Sequence, residues 1–264
     1  MLRLLEYNVA CFRGMAPLKS EPLLHFLLSA MTHLAVDIIV LVEMFDPTTT
    51  AYIVRHTPGW DWASRPHHAS GLLVGARGRI RRATPFDLHA RAGCCQFDCL
   101  AHKGALHCTA HLERHHRTVD IVGIHLQSCD RLCPGTRSRQ LRHLRTYLDG
   151  ARDHGRSLLL AGDFNVARFR EGRTCPDFRR MCRTLRSRPS ALGRTLQYKA
   201  WRFRTRLRTQ PPHTLTTYPH HIGTGPGLLD HVLINGSGQL STQVIYTPGH
   251  LSDHNALLCH VRLP

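Results

Sequence analysis

At 264 residues the chain suits one large domain or two small ones, with length enough to bury a substantial core. The formal net charge of +17 is carried almost wholly by arginine, since the only lysines are Lys19, Lys103 and Lys199. Such a charge suits a polyanionic partner, nucleic acid or an anionic lipid surface, although a GC-rich genome produces the same arginine bias. None of the ten cysteines forms a Cys-x-x-Cys pair, which argues against a structural zinc site.

In chain order, the first element is a strand, Leu2–Val9, with no cleavable signal pattern before it. A cytoplasmic or peripheral membrane location with reduced thiols is therefore expected; Cys129 and Cys133 would be disulfide candidates in an exported protein. The apolar stretch Leu23–Val42 has the length of a membrane span, but Asp37 would be costly in lipid. It reads better as a helix, Glu21–Ala35, capped by Ser20 with Pro22 in its first turn, followed by a buried strand, Ile38–Val42. Further strands are expected at Gly71–Val74, Leu106–Leu112, Val119–Ile124, Leu158–Leu160, His231–Ile234, Gln243–Tyr246 and Ala256–Val261. A second helix, Ser138–Asp149, places Leu141, Leu144 and Leu148 on one face and arginines mostly on the other. Two packed sheets with helices outside follow from this mixture. The segment Ala167–Thr209 is rich in arginine, with Tyr198, Trp201 and Phe203 interleaved; it reads as a solvated helical insertion or as a basic-aromatic surface for phosphate-rich partners or a membrane interface.

Polar groups stand at the ends of these apolar strands. Asn8, in Tyr7-Asn8-Val9, ends the first, Glu43 ends the second, and His125 and Gln127 lie in Gly123-Ile-His-Leu-Gln-Ser128. Gly162-Asp163-Phe164-Asn165, Leu229-Asp230-His231 and Ser252-Asp253-His254-Asn255 complete the set. A carboxylate at the end of a core strand costs several kcal/mol unless something binds it, so these residues read as a site.

In this order the strings resemble the endonuclease/exonuclease/phosphatase superfamily, whose members share a four-layer α/β sandwich of two packed mixed β-sheets flanked by helices. The resemblance runs from Leu4 to Val261 and is poorest over Ala167–Thr209. It implies one catalytic domain over 1–264 with a basic insertion at about 167–209. Glu43-Met-Phe-Asp46 is similar to the Glu-Val-Phe-Asp string of neutral, magnesium-dependent sphingomyelinases, and Lys103-Gly-Ala-Leu106 to their Lys-Gly-hydrophobic string. His125-Leu-Gln-Ser128 and Arg137-Ser-Arg-Gln-Leu141 resemble that group's His-x-Gln-Ala and Arg-x-x-Gln-Leu patterns. Ser128 departs from a small apolar residue, and His231 stands where a Tyr is usual.

Phosphodiester hydrolysis needs charge neutralised on the phosphoryl oxygens, a hydroxide generated near neutral pH and a proton for the leaving alkoxide. The resemblance implies Mg2+, with Mn2+ as a substitute, held by Glu43 with Asn8 and Asp253 beside it. It assigns His254 as general base and Asp230 as the carboxylate that fixes its tautomer. Asp163 and Asn165 would orient the attacking water, and His125 would donate to the phosphoryl group or the leaving oxygen. The implied activity is sphingomyelinase-like: sphingomyelin is cut to ceramide and phosphocholine by a monomer acting on phospholipid at a membrane surface. A Mg-dependent nuclease acting on DNA is the alternative, favoured by the +17 charge. Without an evident membrane-inserting hairpin, docking to lipid would fall to arginines and to Trp60, Trp62 and Trp201.

Overall fold

A computed structural model describes residues 1–11, 14–65, 71–88, 103–126, 136–151, 156–166, 169–170, 173–174, 176–189, 229–235, 238–245, 247, 251–252 and 254–263. Its strands in the first half are β1 (Leu2–Cys11), β2 (Ile38–Met44), β3 (Asp61–Ser64), β4 (Leu73–Ala76), β5 (Arg79–Asp87), β6 (Gly104–Leu112) and β7 (Arg117–His125). Those of the second half are β8 (Leu158–Asp163), β9 (Phe169–Arg170), β10 (Arg173–Thr174), β11 (Arg188–Pro189), β12 (Asp230–Asn235), β13 (Gln239–Ile245) and β14 (Ala256–Arg262).

Successive side chains of a strand point to opposite faces, and in β1 each face meets a different interior. Leu2 and Leu4 join Ile38 and Val40 of β2 against Ile121, Leu159, Ala161 and Val232 of the other sheet. Leu5, Tyr7 and Val9 face the opposite way, onto Leu23 and Leu27 of helix α1 (Ala16–His33) and Ile53 of α2 (Pro47–His56). The second sheet repeats the arrangement. Val122, Ile124 and Leu160 pack under Leu141, Leu144 and Leu148 of α3 (Thr136–Ala151) and under Phe178 and Met181 of α4 (Pro176–Thr184). The layers therefore run helix, sheet, sheet, helix, as expected.

The first sheet has the order β13-β14-β1-β2-β4-β3 and the second β11-β12-β8-β7-β6-β5. Each is mixed: β1 pairs parallel with β2 but antiparallel with β14, and β7 pairs parallel with β8 but antiparallel with β6. Truncating one of these fully buried leucines, Leu4→Ala for example, would cost about 2–5 kcal/mol in transfer and cavity terms.

The expected strands are all present, most of them longer than their apolar runs; the one expected at Gly71–Val74 lies two residues later, at Leu73–Ala76, and Tyr246 falls outside the described residues. The first helix differs from its expectation. It begins at Ala16 with Met15 at the cap and Pro17 in the first turn, so Ser20 is not the cap. Ser20 Oγ instead lies 3.0 Å from Thr49 Oγ1, which ties α1 to α2. Pro22 sits inside the helix and cannot donate to the Leu18 carbonyl; Leu18 is 70% exposed, so water can satisfy that oxygen. The stretch Leu23–Val42 resolves into the end of α1 and the start of β2, and no helix among the described residues is long and apolar enough to cross a membrane. Asp37 accepts a hydrogen bond from Arg3 N at 2.9 Å and lies 3.0 Å from His115 Nε2.

Trp62 presses its ring on Gly75, where a Cβ would come within 2.5 Å of it, and donates from Nε1 to Thr57 Oγ1 at 2.9 Å. It is a packing residue of the first sheet. Of the arginine-rich segment, α4 packs into the core of the second sheet. Tyr198, Trp201, Phe203 and the run 202–208 lie outside the described residues, as do Cys129 and Cys133.

Candidate functional site

The pairing of β7, β8 and β12 sets three polar residues in a row. His125 is the parallel partner of Asp163, and Asp163 is the antiparallel partner of Asp230. Side chains in register share a face. The apolar residues before them, Ile121, Leu159, Ala161, Val232 and Ile234, fix that face as the one between the sheets. Gly162 lets the row form: with φ +142, a Cβ there would lie 2.0 Å from the Ile124 carbonyl oxygen and force β7 away from β8.

The first sheet supplies the facing groups. Asn8 follows Leu2 and Leu4 on the inward face of β1, and its Nδ2 donates to Asp163 Oδ2 at 3.3 Å. Strand parity alone would turn Glu43 outward with Ile39 and Leu41. Its backbone is left-handed instead, at φ +60, which turns the carboxylate inward to 3.3 Å from His125 Nε2 and sends Met44 to the helix side. A non-glycine residue held in this region is strained, a feature that recurs at functional sites.

His254 comes from the turn before β14. Its Nδ1 lies 2.8 Å from Asp230 Oδ2, and its N donates to Ser252 Oγ at 3.0 Å. Ser252 Oγ in turn donates to the Asn8 carbonyl at 2.6 Å, and buried Lys19 donates from Nζ to the Leu251 carbonyl and, at 3.5 Å, to that of Val9. This turn is thus fastened to β1 beside Asn8. Asn165, left-handed at φ +50, donates from N to Asp163 Oδ1 at 2.8 Å and from Nδ2 to the Leu126 carbonyl at 2.9 Å. Arg137 Nη1 donates to the Asn165 carbonyl.

The electrostatics pull in two directions. Burial pushes the Glu43 carboxyl up, but the His125 hydrogen bond and the charges of His125, Lys103 and His254 outweigh it and bring it down to about 2. Asp163 is raised above the usual carboxylate range, first by burial and then by Asp230 and Glu43, against the opposing pull of His254 and His125. Glu6, fully buried between the sheets, is raised well above that range by burial and by the charges of Asp230 and Asp163. Neither of its oxygens has a hydrogen-bond partner among the described residues. An inward-facing set of carboxylates that burial destabilises is one that a cation would relieve.

The sequence-nominated residues Asn8, Glu43, His125, Asp163, Asn165, Asp230 and His254 come together; Asp253, Gln127 and Ser128 lie outside the described residues. Ligand atoms of Glu43, His125 and Asp163 lie within 4.8 Å of one another, and so do those of Asp163, Asp230 and His254. Carboxylate and amide oxygens of this kind suit a hard divalent cation, and Glu43, ionised down to about pH 2, is the donor always ready for one. His231 packs between Phe164 and Phe178 and its Nε2 lies 2.7 Å from the Val166 carbonyl, so it does fill an aromatic's place.

Sequence reasoning missed Glu6, Lys19 and Lys103. Lys103 Nζ lies 2.7 Å from His125 Nε2, and its signal was present in the Lys-Gly string before β6, which carried no role. Glu6 could have been found by parity, since it shares the inward face with Leu4 and Asn8.

No curated protein sequence matches the chain. Among solved structures, a double mutant of the beta toxin from Staphylococcus aureus with bound magnesium ions has a TM-score of 0.68 at 16% identity, over 98% of this chain and 99% of that one. Sphingomyelinase C from Streptomyces griseocarneus has a TM-score of 0.65 at 17% identity, over 98% of each chain. TDP2 from D. rerio complexed with a single-strand DNA product has a TM-score of 0.63 at 14% identity, over 99% of each. These likenesses establish the shared fold. The family model described as Endonuclease/Exonuclease/phosphatase family matches residues 5–254, nearly the whole length, and the chain belongs to that family.

Proposed function

We propose that the chain is a magnesium-dependent phosphodiesterase of the sphingomyelinase kind, hydrolysing sphingomyelin to ceramide and phosphocholine at a membrane surface. The observation that carries the reading is the convergence of Asn8 and Glu43 from one sheet with His125, Asp163 and Asp230 from the other, beside His254. The choice of lipid rests on the strings Glu43-Met-Phe-Asp46 and Lys103-Gly-Ala-Leu106, each of which has a place in the site. Asp46 Oδ2 caps α2 by accepting from Thr49 N at 2.8 Å, which holds the chain just after Glu43.

In this reading Glu43, Asn8 and Asp253 hold Mg2+, with Mn2+ as a substitute. The ion supplies charge neutralisation at the phosphoryl oxygens and a more acidic water. Asp230 holds the proton of His254 on Nδ1, so Nε2 is the basic nitrogen that takes the proton from the attacking water. Asp163 and Asn165 orient that water. Lys103, with Nζ 2.7 Å from His125 Nε2, brings positive charge beside the phosphoryl group, and His125 would donate to that group or to the leaving ceramide oxygen as the P–O bond breaks. The chain acts as one catalytic domain over 1–264, as a monomer bound peripherally to the lipid surface.

A second reading, a DNA nuclease with the same machinery, is favoured by the +17 charge and would bind DNA with steep salt dependence. Purified protein with magnesium, given labelled sphingomyelin micelles or plasmid DNA with EDTA controls, separates the two. Metal-dependent release of phosphocholine is the expected result. Cleavage of DNA alone would replace the lipid reading, and inactivity on both would overturn the two together.

A further inference from the structure

A cavity of about 410 Å3 opens on the helix-facing side of the second sheet, between the end of α3 and the edge strand β5. His107 and Thr109 line it because they alternate along β6 with Leu106, Cys108 and Ala110, which face the core. It lies at the far end of β7 from the catalytic row. Asp120, on its floor, is five residues from His125, about 17 Å at about 3.4 Å per residue.

The walls carry positive charge in a built arrangement. The pairing of β5 with β6 slips between Ile80, opposite Ala110, and Arg82, opposite Thr109. Arg81 is the extra residue, and such a bulge re-aims a side chain that would otherwise alternate to the other face. Arg81 and Arg82 are both exposed, and both line the cavity with Arg156 and His107. Among the described residues the one carboxylate at the cavity, Asp120, is already engaged. Thr109 Oγ1 donates to its Oδ1 at 2.7 Å, with His107 Nε2 at 3.5 Å and Arg156 Nη1 at 3.8 Å. Arg82, which lines the cavity, is held there by donating from Nε to Thr84 Oγ1 at 3.3 Å. A neighbouring hollow, lined by Arg79, His111 and Glu113, continues from Arg81 along the same strand.

Two adjacent guanidinium forks, beside an Asp120 already engaged by Thr109 and Arg156, offer enough donors for several oxygens of one phosphate, whose higher charge favours it over a monovalent anion. We propose that this cavity is a second anion site, separate from the catalytic cluster, that takes the phosphate monoester group of a small soluble ligand. A bilayer seated there would hold the catalytic row away from its surface, which sets a soluble phosphate above a lipid headgroup.

The inference does not rest on the phosphodiesterase reading, and its test uses no turnover. Inorganic phosphate is titrated at constant ionic strength into 15N-labelled full-length protein, and the amides of Thr109, Thr118 and Ala151 are followed by NMR. Saturable shifts are expected there, weakened about tenfold or more in the folded double variant Arg81→Ser/Arg82→Ser and unchanged in Glu43→Gln. The single variant Arg81→Ser gives the same test with less change to the strand. Equal shifts with acetate, or shifts indifferent to both arginine variants, would overturn the site. Pelleting with phosphatidic acid vesicles is expected to be the same for wild type and double variant. A loss confined to the variant would reassign the phosphate to lipid and overturn the soluble-ligand claim.

Discussion

Asp163 and Asp230 stand directly opposite one another across β8 and β12, both buried between the sheets. Two carboxylates so placed repel when ionised, and Asp163 bears the result as a raised pKa, on top of the larger effect of burial. A carboxyl raised above its unfolded value contributes fully to stability below that unfolded value and loses the contribution as pH rises through the raised one. Asp163→Asn should therefore raise the thermal midpoint in EDTA at pH 8, by about 2–4 °C for each kcal/mol of repulsion removed, and by less near pH 4. Activity should fall about 10²-fold or more. Calorimetry at the two pH values checks the sign; a lower midpoint at pH 8 would contradict it.

The 2.8 Å contact between His254 Nδ1 and Asp230 Oδ2 makes a separate prediction. Asp230→Asn preserves shape but offers an amide that can stabilise the wrong tautomer, so turnover should drop by about 10³–10⁴-fold with the fold retained. His254→Ala should lose about 10²-fold or more, and the double variant should lose little beyond the worse single one, because the two act as a unit. Additive losses in single-turnover assays would refute the pairing.

Glu43, lowered to about 2, gives the opposite pH signature. Its contribution to stability is present above the ordinary carboxyl value near 4.5 and disappears as pH falls toward 2. Glu43→Gln should therefore be less stable than wild type at pH 7, with the gap closing in acid. It should also need far more magnesium for half-maximal activity. An unchanged metal titration would remove Glu43 from the ligands.

Burial, with the charges of Asp230 and Asp163, keeps the Glu6 carboxyl protonated well above the usual range, and its two oxygens find no hydrogen-bond partner among the described residues. Glu6→Gln has the same shape and never ionises, so the two proteins should match in acid and diverge in alkali, with the variant the more stable. Urea melts across that range would show it. Parallel curves would mean that the carboxyl is not ionising between the sheets.

Lys19 fastens the Leu251 carbonyl, and so the turn that carries His254, to the end of β1. Lys19→Met keeps the aliphatic bulk but removes the donors, and should lower kcat while leaving KM nearly unchanged. Lys19→Arg should restore part of the loss, since a guanidinium can reach the same carbonyls. Loss of stability without a change in kcat would make the residue a packing element only.

The apolar runs identified the central strands because each is buried on both faces, and the same property placed its polar end at the site. The sequence pattern failed where burial was one-sided. β5, Arg79–Asp87, is an edge strand with a bulge, so it shows neither an apolar run nor clean alternation. Helix α2 was hidden in Pro47-Thr-Thr-Thr, residues of modest helix preference, although Asp46-Pro47 is itself a cap followed by a helix-starting proline. The inward turn of Glu43 could not be derived from strand periodicity, because a single left-handed residue reverses it. Lys103 and Lys19 act at a distance in the chain from their partners, and only packing brings them there.

The candidate site is drawn from both sheets, with the 3.3 Å contacts from Asn8 to Asp163 and from Glu43 to His125 bridging the gap. A slide of one sheet over the other by a single residue, about 3.4 Å, would part these groups while leaving each sheet whole. Turnover is thus a gauge of alignment between the sheets, and mild denaturant should silence the protein before its circular dichroism changes.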